Sequence, residues 1–143
     1  MNTNRFTALI FWCGFSGLTG TYIFTDGTTS YIGKGPKDRC KASQSARLGS
    51  TCGATAAVHK DFGDDDMGFM VEHLLMEHYK ARTSASFANS PNLNSPGKKK
   101  YEAADAATKK KARAKRDAMI KDFEAKKAAC ATPASTPANN GDC

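Results

Sequence analysis

Tyr22 and Tyr31 are separated by eight residues that include Asp26-Gly27; Ile32-Gly33-Lys34-Gly35 follows at once, and Arg39 soon after. A phenol accepts a proton near neutrality only if something lowers its pKa from about 10. Lys34 and Arg39 are cations able to do that. Arginine also grips phosphate, because its planar fork matches two phosphate oxygens and stays charged. Farther along, Glu72 and Glu77 are carboxylates of the kind that hold a divalent metal beside a phosphate. Phosphodiester hydrolysis needs an activated water, a neutralised phosphate and a stabilised leaving oxygen, and these residue types suit all three. Each also has a plainer use. Tyrosine is a common strand residue, Lys34 suits a solvated turn, and Arg39 favours a helix or a pairing with Asp38.

The elements that must position these groups show in the pattern. GTYIFT and TSYIG are rich in β-branched and aromatic residues and flank Asp26-Gly27, which predicts a hairpin. With a two-residue turn, Thr25 pairs with Thr28 and Tyr22 stands directly across from Tyr31, with Cβ atoms about 5 Å apart. Gly35-Pro36 ends the second strand, and Pro36 is expected as the first residue of a helix through KDRCKASQSARL. Residues 56–62 read as a third strand or a loop, with His59 a second base, a phosphate donor or a structural residue. Asp64-Asp65-Asp66 then precede a stripe of Met67, Met70, Val71, Leu74, Leu75 and His78 at helical spacing. The three aspartates read most simply as a cap with favourable charge at a helix start, and more sharply as a metal cluster. Glu72 and Glu77 flank the stripe on opposite sides, so periodicity does not choose between them.

Residues 83–97 hold two Asn-Ser-Pro repeats and read as a loop. Residues 98–127 read as a lysine-rich helix with few apolar anchors: Ala112, Met119, Ile120 and Phe123. The tail 130–143 is Ala/Thr/Pro/Asn-rich and expected to be disordered. The chain of 143 residues suits one domain with some extra. Its formal net charge of +7 comes almost wholly from residues 98–127, where 12 Lys or Arg meet five Asp or Glu. Such a strip is either a solvated helix or an appendage that attracts nucleic acid, less often an anionic membrane. Five cysteines contain no CxxC pair and leave one over in any disulfide scheme, so the thiols are expected free and the compartment reducing. The three histidines are not at zinc-ligand spacing. Residues 6–15 resemble a signal-peptide core, but Thr7 and Gly14 interrupt them and no A-x-A site follows. Ala8 to Trp12 are expected to cover the core instead.

Taken together, GTY, an interval of eight and YIG resemble the signature of the GIY-YIG nuclease superfamily. YIGKGPKDR is similar to the branch found in animal nucleases linked to LEM domains. The resemblance spans about residues 20–97. It implies an α+β fold, a small three-stranded antiparallel sheet flanked by helices, and cleavage with one divalent metal, Mg2+ or Mn2+. Carried over by position, it implies Tyr22 and Tyr31 as paired active-site tyrosines, with Tyr22 favoured as base over Tyr31. Gly20, Gly33 and Gly35 shape the site, Lys34 assists the tyrosine or the phosphate, and Arg39 binds the scissile phosphate. Glu72 is the metal ligand and Asn94 the loop asparagine, with Asn89 and Asn92 competing. Thr21 stands where isoleucine is usual, and the interval is shorter than the common ten or so. Arg39 comes earlier than in many members, which leaves Lys41 and Arg47 as fallbacks.

The resulting expectation is a metal-dependent DNA endonuclease of homing or phage type. It comprises an apolar lead-in (1–19), a nuclease domain (20–97), a basic helical extension (98–129) and a tail (130–143). DNA would meet Lys98, Lys99, Lys100, Lys109, Lys110, Lys111, Arg113, Lys115 and Arg116 without base readout. No small-molecule cofactor or stable membrane association is expected. The location would be the cytoplasm of a bacterial or phage-infected cell, or a eukaryotic nucleus. The alternatives are a non-catalytic nucleic-acid-binding protein on an inactive nuclease fold, and a basic packaging protein.

Overall fold

The computed structural model describes residues 19–48, 56–89 and 96–131. Three antiparallel strands, β1 (Gly20–Thr25), β2 (Ser30–Lys34) and β3 (Ala56–Asp61), form a sheet with β1 in the centre. The helices are α1 (Lys37–Leu48), α2 (Asp65–His78), α3 (Pro96–Ala103) and α4 (Ala106–Ala131). The expected α+β fold, a small three-stranded antiparallel sheet flanked by helices with a basic helix at the C-terminal end, is borne out. The expected lead-in up to residue 18, the tail beyond 131, and Asn92 and Asn94 lie outside the described residues.

β1 is buried along its whole length, so its alternate residues serve two cores. Ile23 packs with Ile32, Ala56 and Val58 against the α2–α4 layer. Tyr22 and Phe24 pack with Ala57 and Tyr31 against Cys40 and Leu48 of α1. The buried hydroxyl of Thr21 donates to Gly68 O in α2 at 2.7 Å, which ties strand to helix without an orphaned polar group.

The hairpin pairs in a different register from the one expected. Thr25 faces Ser30, Phe24 faces Tyr31 and Tyr22 faces Gly33, so the tip is four residues rather than two. Asp26 decides this: its Oδ1 accepts from Thr28 N at 2.8 Å and Thr29 N at 2.6 Å, and its own N–H donates to Thr29 O. That side-chain-closed loop outcompetes a bare two-residue turn. The displacement is two places, an even number, so both tyrosines keep the same face.

The outer edge of β2 is covered. Ser30 N donates to Ser86 O at 2.7 Å and Ala88 N donates to Ser30 O at 2.9 Å. Asn89 then bonds Ile32 twice through its side-chain amide, accepting at 3.1 Å and donating at 2.7 Å. The amide imitates a neighbouring strand and closes an edge that would otherwise invite pairing.

Asp64 caps α2, accepting from Asp66 N and Met67 N, while Asp65 pairs with Lys34 and Asp66 with Lys100. The cap is therefore the use the structure makes of these acids. His78, expected on the apolar stripe, is exposed; His73 is buried in its place. Pro36 stands just before α1, its carbonyl accepting from Cys40 N.

Two further expectations are corrected. Residues 98–129 are not an external extension: Ala112, Met119 and Phe123 of α4 are fully buried in the larger core. They fall on one stripe at i, i+7 and i+11, and burying a side chain such as Phe123 contributes about 1.5–3 kcal/mol. Lys126 Nζ also reaches Ala57 O at 2.7 Å. The segment is moreover two helices, with Asp105 capping α4 by accepting from Thr108 N at 2.7 Å. Finally, Cys40 is disulfide-bonded. The thiols are therefore not all free, and the ground for expecting a reducing compartment falls, since disulfides persist in oxidising ones.

Candidate functional site

The site is built on two glycines, Gly33 in β2 and Gly35 just beyond it. Tyr22 stands opposite Gly33 and lays its ring on it: a Cβ at Gly33 would lie 2.4 Å from Tyr22 Cζ and 2.5 Å from its Oη. Only glycine lets the ring rest on the neighbouring strand. Tyr31 sits diagonally, with ring centroids 6.3 Å apart, and Phe24 completes the row. Across the row, α1 supplies Ser43, whose Oγ is 2.8 Å from Tyr22 Oη, and Arg47, which lies 4.6 Å over the Tyr31 ring.

Gly35 has φ +143°, a conformation side chains rarely adopt, and a Cβ there would meet Arg39 Cδ at 2.6 Å. Arg39 thus lies along the turn, from an exposed position on α1. On the other side, His59 Nε2 donates to Gly35 O at 2.8 Å, with its ring lodged against Gly20. Nδ1 is then the acceptor of the neutral ring. These two glycines therefore organise Tyr22, Arg39 and His59.

Glu72 joins them from α2. Burial draws its carboxyl up to about 7, against the opposing pull of Lys34, Arg39 and Arg82. The Tyr22 phenol is pushed above its ordinary value chiefly by burial; Tyr31 and Glu72 add to the rise, while Ser43 and Arg39 oppose it. The expectation that neighbouring cations lower this pKa is therefore overturned. Enclosing a phenolate between sheet and α1 outweighs the attraction of one guanidinium.

Lys34 occupies the opposite face of β2 from Tyr31 and Gly33. It pairs with Asp65, and its ammonium sits 4.0 Å over the Phe69 ring, yet its charge still reaches Glu72. Lys100 of α3 approaches the same ring at 5.6 Å and pairs with Asp66 at 2.7 Å. Glu77 is exposed, and its charge acts on His73 instead. Lys41 is exposed on α1. Asn89 serves the β2 edge, as described. Of the expected DNA-binding set, Lys98, Lys99, Lys110 and Lys111 are exposed; Arg116 pairs with Asp117. Lys109 and Lys115 lie over the rings of Tyr101 and Phe62, and Arg113 donates to Tyr101 Oη at 2.8 Å.

Two neighbours escaped the sequence reading. Ser43 carried a signal, since it lies one helical turn after Arg39 and so shares its face. Arg82 carried none, because a turn after α2 brings it back. A cavity of about 590 Å3 lies at the hairpin tip, lined by Thr28, Tyr79, Phe87 and Phe123 among others. It holds none of the residues above.

Glu72 is a carboxylate that could hold a divalent ion of the Mg2+ type, which takes one or two carboxylates and completes its shell with waters and phosphate oxygens. Among the described residues no group of three or more metal-binding side chains gathers. An ion there would have to draw the rest of its shell from water or a ligand. No family model, no curated protein and no solved structure matches the chain.

Proposed function

We propose that this protein is a metal-dependent DNA endonuclease that hydrolyses phosphodiester bonds at the Tyr22–Arg39–Glu72 constellation. Support comes from one observation above all: three elements bring a phenol, a guanidinium and a half-buried carboxylate within electrostatic reach of each other around Gly33-Lys34-Gly35. Arg39 binds the scissile phosphate, and Lys34 and Arg82 add positive charge around it. Glu72 would hold Mg2+ or Mn2+, which when bound supplies charge neutralisation at the phosphate and at the leaving oxygen. Tyr22 orients through its bond to Ser43. With the Tyr22 phenol raised above its ordinary value, His59 is the candidate proton acceptor on this face, and pH–rate profiles of His59→Ala and Tyr22→Phe check it: only the acceptor's removal abolishes the ascending limb. Lysines of α3 and α4 hold DNA by charge, without base readout.

Supercoiled plasmid with Mg2+ tests this directly. The wild type should nick it, whereas Glu72→Ala and Arg39→Ala should lose at least about a hundredfold in rate, the scale of lost electrostatic stabilisation. Equal nicking by all three would sink the site. A second reading, nucleic-acid binding without catalysis, is favoured by the three cations around Glu72 and the raised Tyr22 phenol. It predicts salt-sensitive binding and no nicking by any of them. Among the described residues no helix is long and apolar enough to cross a membrane.

A further inference from the structure

Beyond α2 the chain turns at Lys80, whose φ of +51° is left-handed. Ala81 N bonds back to Met76 O at 2.9 Å and Lys80 N to Glu77 O at 3.3 Å, which closes the helix end. Glycine is the usual residue for such a position; lysine here holds a conformation that costs of order 1 kcal/mol. The turn sends Arg82 back along α2, with Nη2 at 4.0 Å from Met76 Sδ. Met76 and Glu72 are one helical turn apart and share a face, so the guanidinium lies over the face that carries Glu72. Its Nε is buried and has no hydrogen-bond partner. Among the described residues no carboxylate pairs with it. A buried, unanswered donor on a guanidinium is costly unless a ligand completes it. Charge balance points the same way. Asp65 answers Lys34, whereas Arg39 and Arg82 share the single carboxylate of Glu72.

We propose that Arg82 is a second phosphate-gripping arginine, which holds with Arg39 successive phosphates of one nucleic-acid strand at the Glu72 site. A phosphate gripped side-on by its Nε–H and Nη–H must enter where the Nε is now covered, so binding shifts the neighbouring side chains as well as the arginine. The inference rests on the proposed function in taking a phosphate chain as the ligand, but it needs no cleavage.

A short oligothymidylate, titrated calorimetrically into the full-length protein in EDTA, reads binding without metal or turnover. Arg82→Ala should weaken binding about tenfold and reduce the slope of log affinity against log salt by about 0.7. Arg82→Lys should recover the salt slope without recovering affinity, because an ammonium lacks the fork. Wild-type affinity and slope in Arg82→Ala would overturn the proposal, and so would full recovery of affinity in Arg82→Lys. If thermal melts show that Arg82→Ala does not fold, Arg82→Lys decides alone. Wild-type protein that binds through Arg82 yet never nicks plasmid would refute the nuclease and leave this grip standing.

Discussion

At the scale of single residues, Gly33 and Glu72 are where the site is most exposed to change. Gly33→Ala would drive a Cβ into the Tyr22 ring, 2.4 Å from its Cζ, and should cost about 1–3 kcal/mol of stability by overpacking. Tyr22→Phe keeps the ring and loses only the Ser43 bond, so about 0.5–1.5 kcal/mol is expected. Chemical denaturation midpoints of the two variants give the ordering. Glu72 makes a prediction about pH. Its carboxyl titrates near 7 in the fold against 4.5 in a free chain, so the unfolded chain releases the proton first. Wild-type stability should therefore decline between about pH 4.5 and 7 and level off above, and Glu72→Gln should remove that decline. Melting temperatures across this range check it; parallel curves for the two proteins would rule it out.

At the scale of elements, the sealed edge of β2 sets the frame on which the tyrosines sit. Asn89→Ala removes both side-chain bonds to Ile32 and leaves a backbone N–H and C=O unanswered. A loss of about 1–3 kcal/mol is expected, with faster hydrogen exchange at the Ile32 amide as the local sign. The first two strands, α1 and α2 were readable because their patterns are local: β-branched and aromatic runs, a proline start, an apolar stripe behind an aspartate cap. Residues 56–62, without such a pattern, stayed open between strand and loop until the pairing with β1 placed β3. The hairpin register was not, since it turns on whether Asp26 bonds Thr28 and Thr29 or leaves them to a tighter turn. The break at Ala104-Asp105 was equally hidden, because lysine-rich sequence on both sides looks continuous.

For the whole molecule, the basic C-terminal half is structural as well as charged. Phe123→Ala should destabilise the protein by about 3–5 kcal/mol, and a chain ending before Ala106 should lose cooperative unfolding, both readable by calorimetry. Composition could not show this, since in α4 three buried side chains are outnumbered by lysines that dominate any average. Reduction of the Cys40 disulfide should cost a further 2–4 kcal/mol or so, visible as a lower melting temperature in reductant. Of the proposed site, Tyr22, Arg39 and Glu72 were singled out by their place in a recognisable spacing. Arg82 and the upward shift of the Tyr22 phenol depend on burial and a left-handed turn, which spacing does not encode.

The four-residue tip of the hairpin also bears on how such a chain can vary over generations. Residues 26–29 lie outside the paired register, so insertions there lengthen the interval between the tyrosines without turning either away from α1. A slip of one place in the pairing would instead send Tyr31 to the opposite side and unseat the ring from Gly33. The tip is thus free to drift in length, while the ladder behind it is held to its present phase.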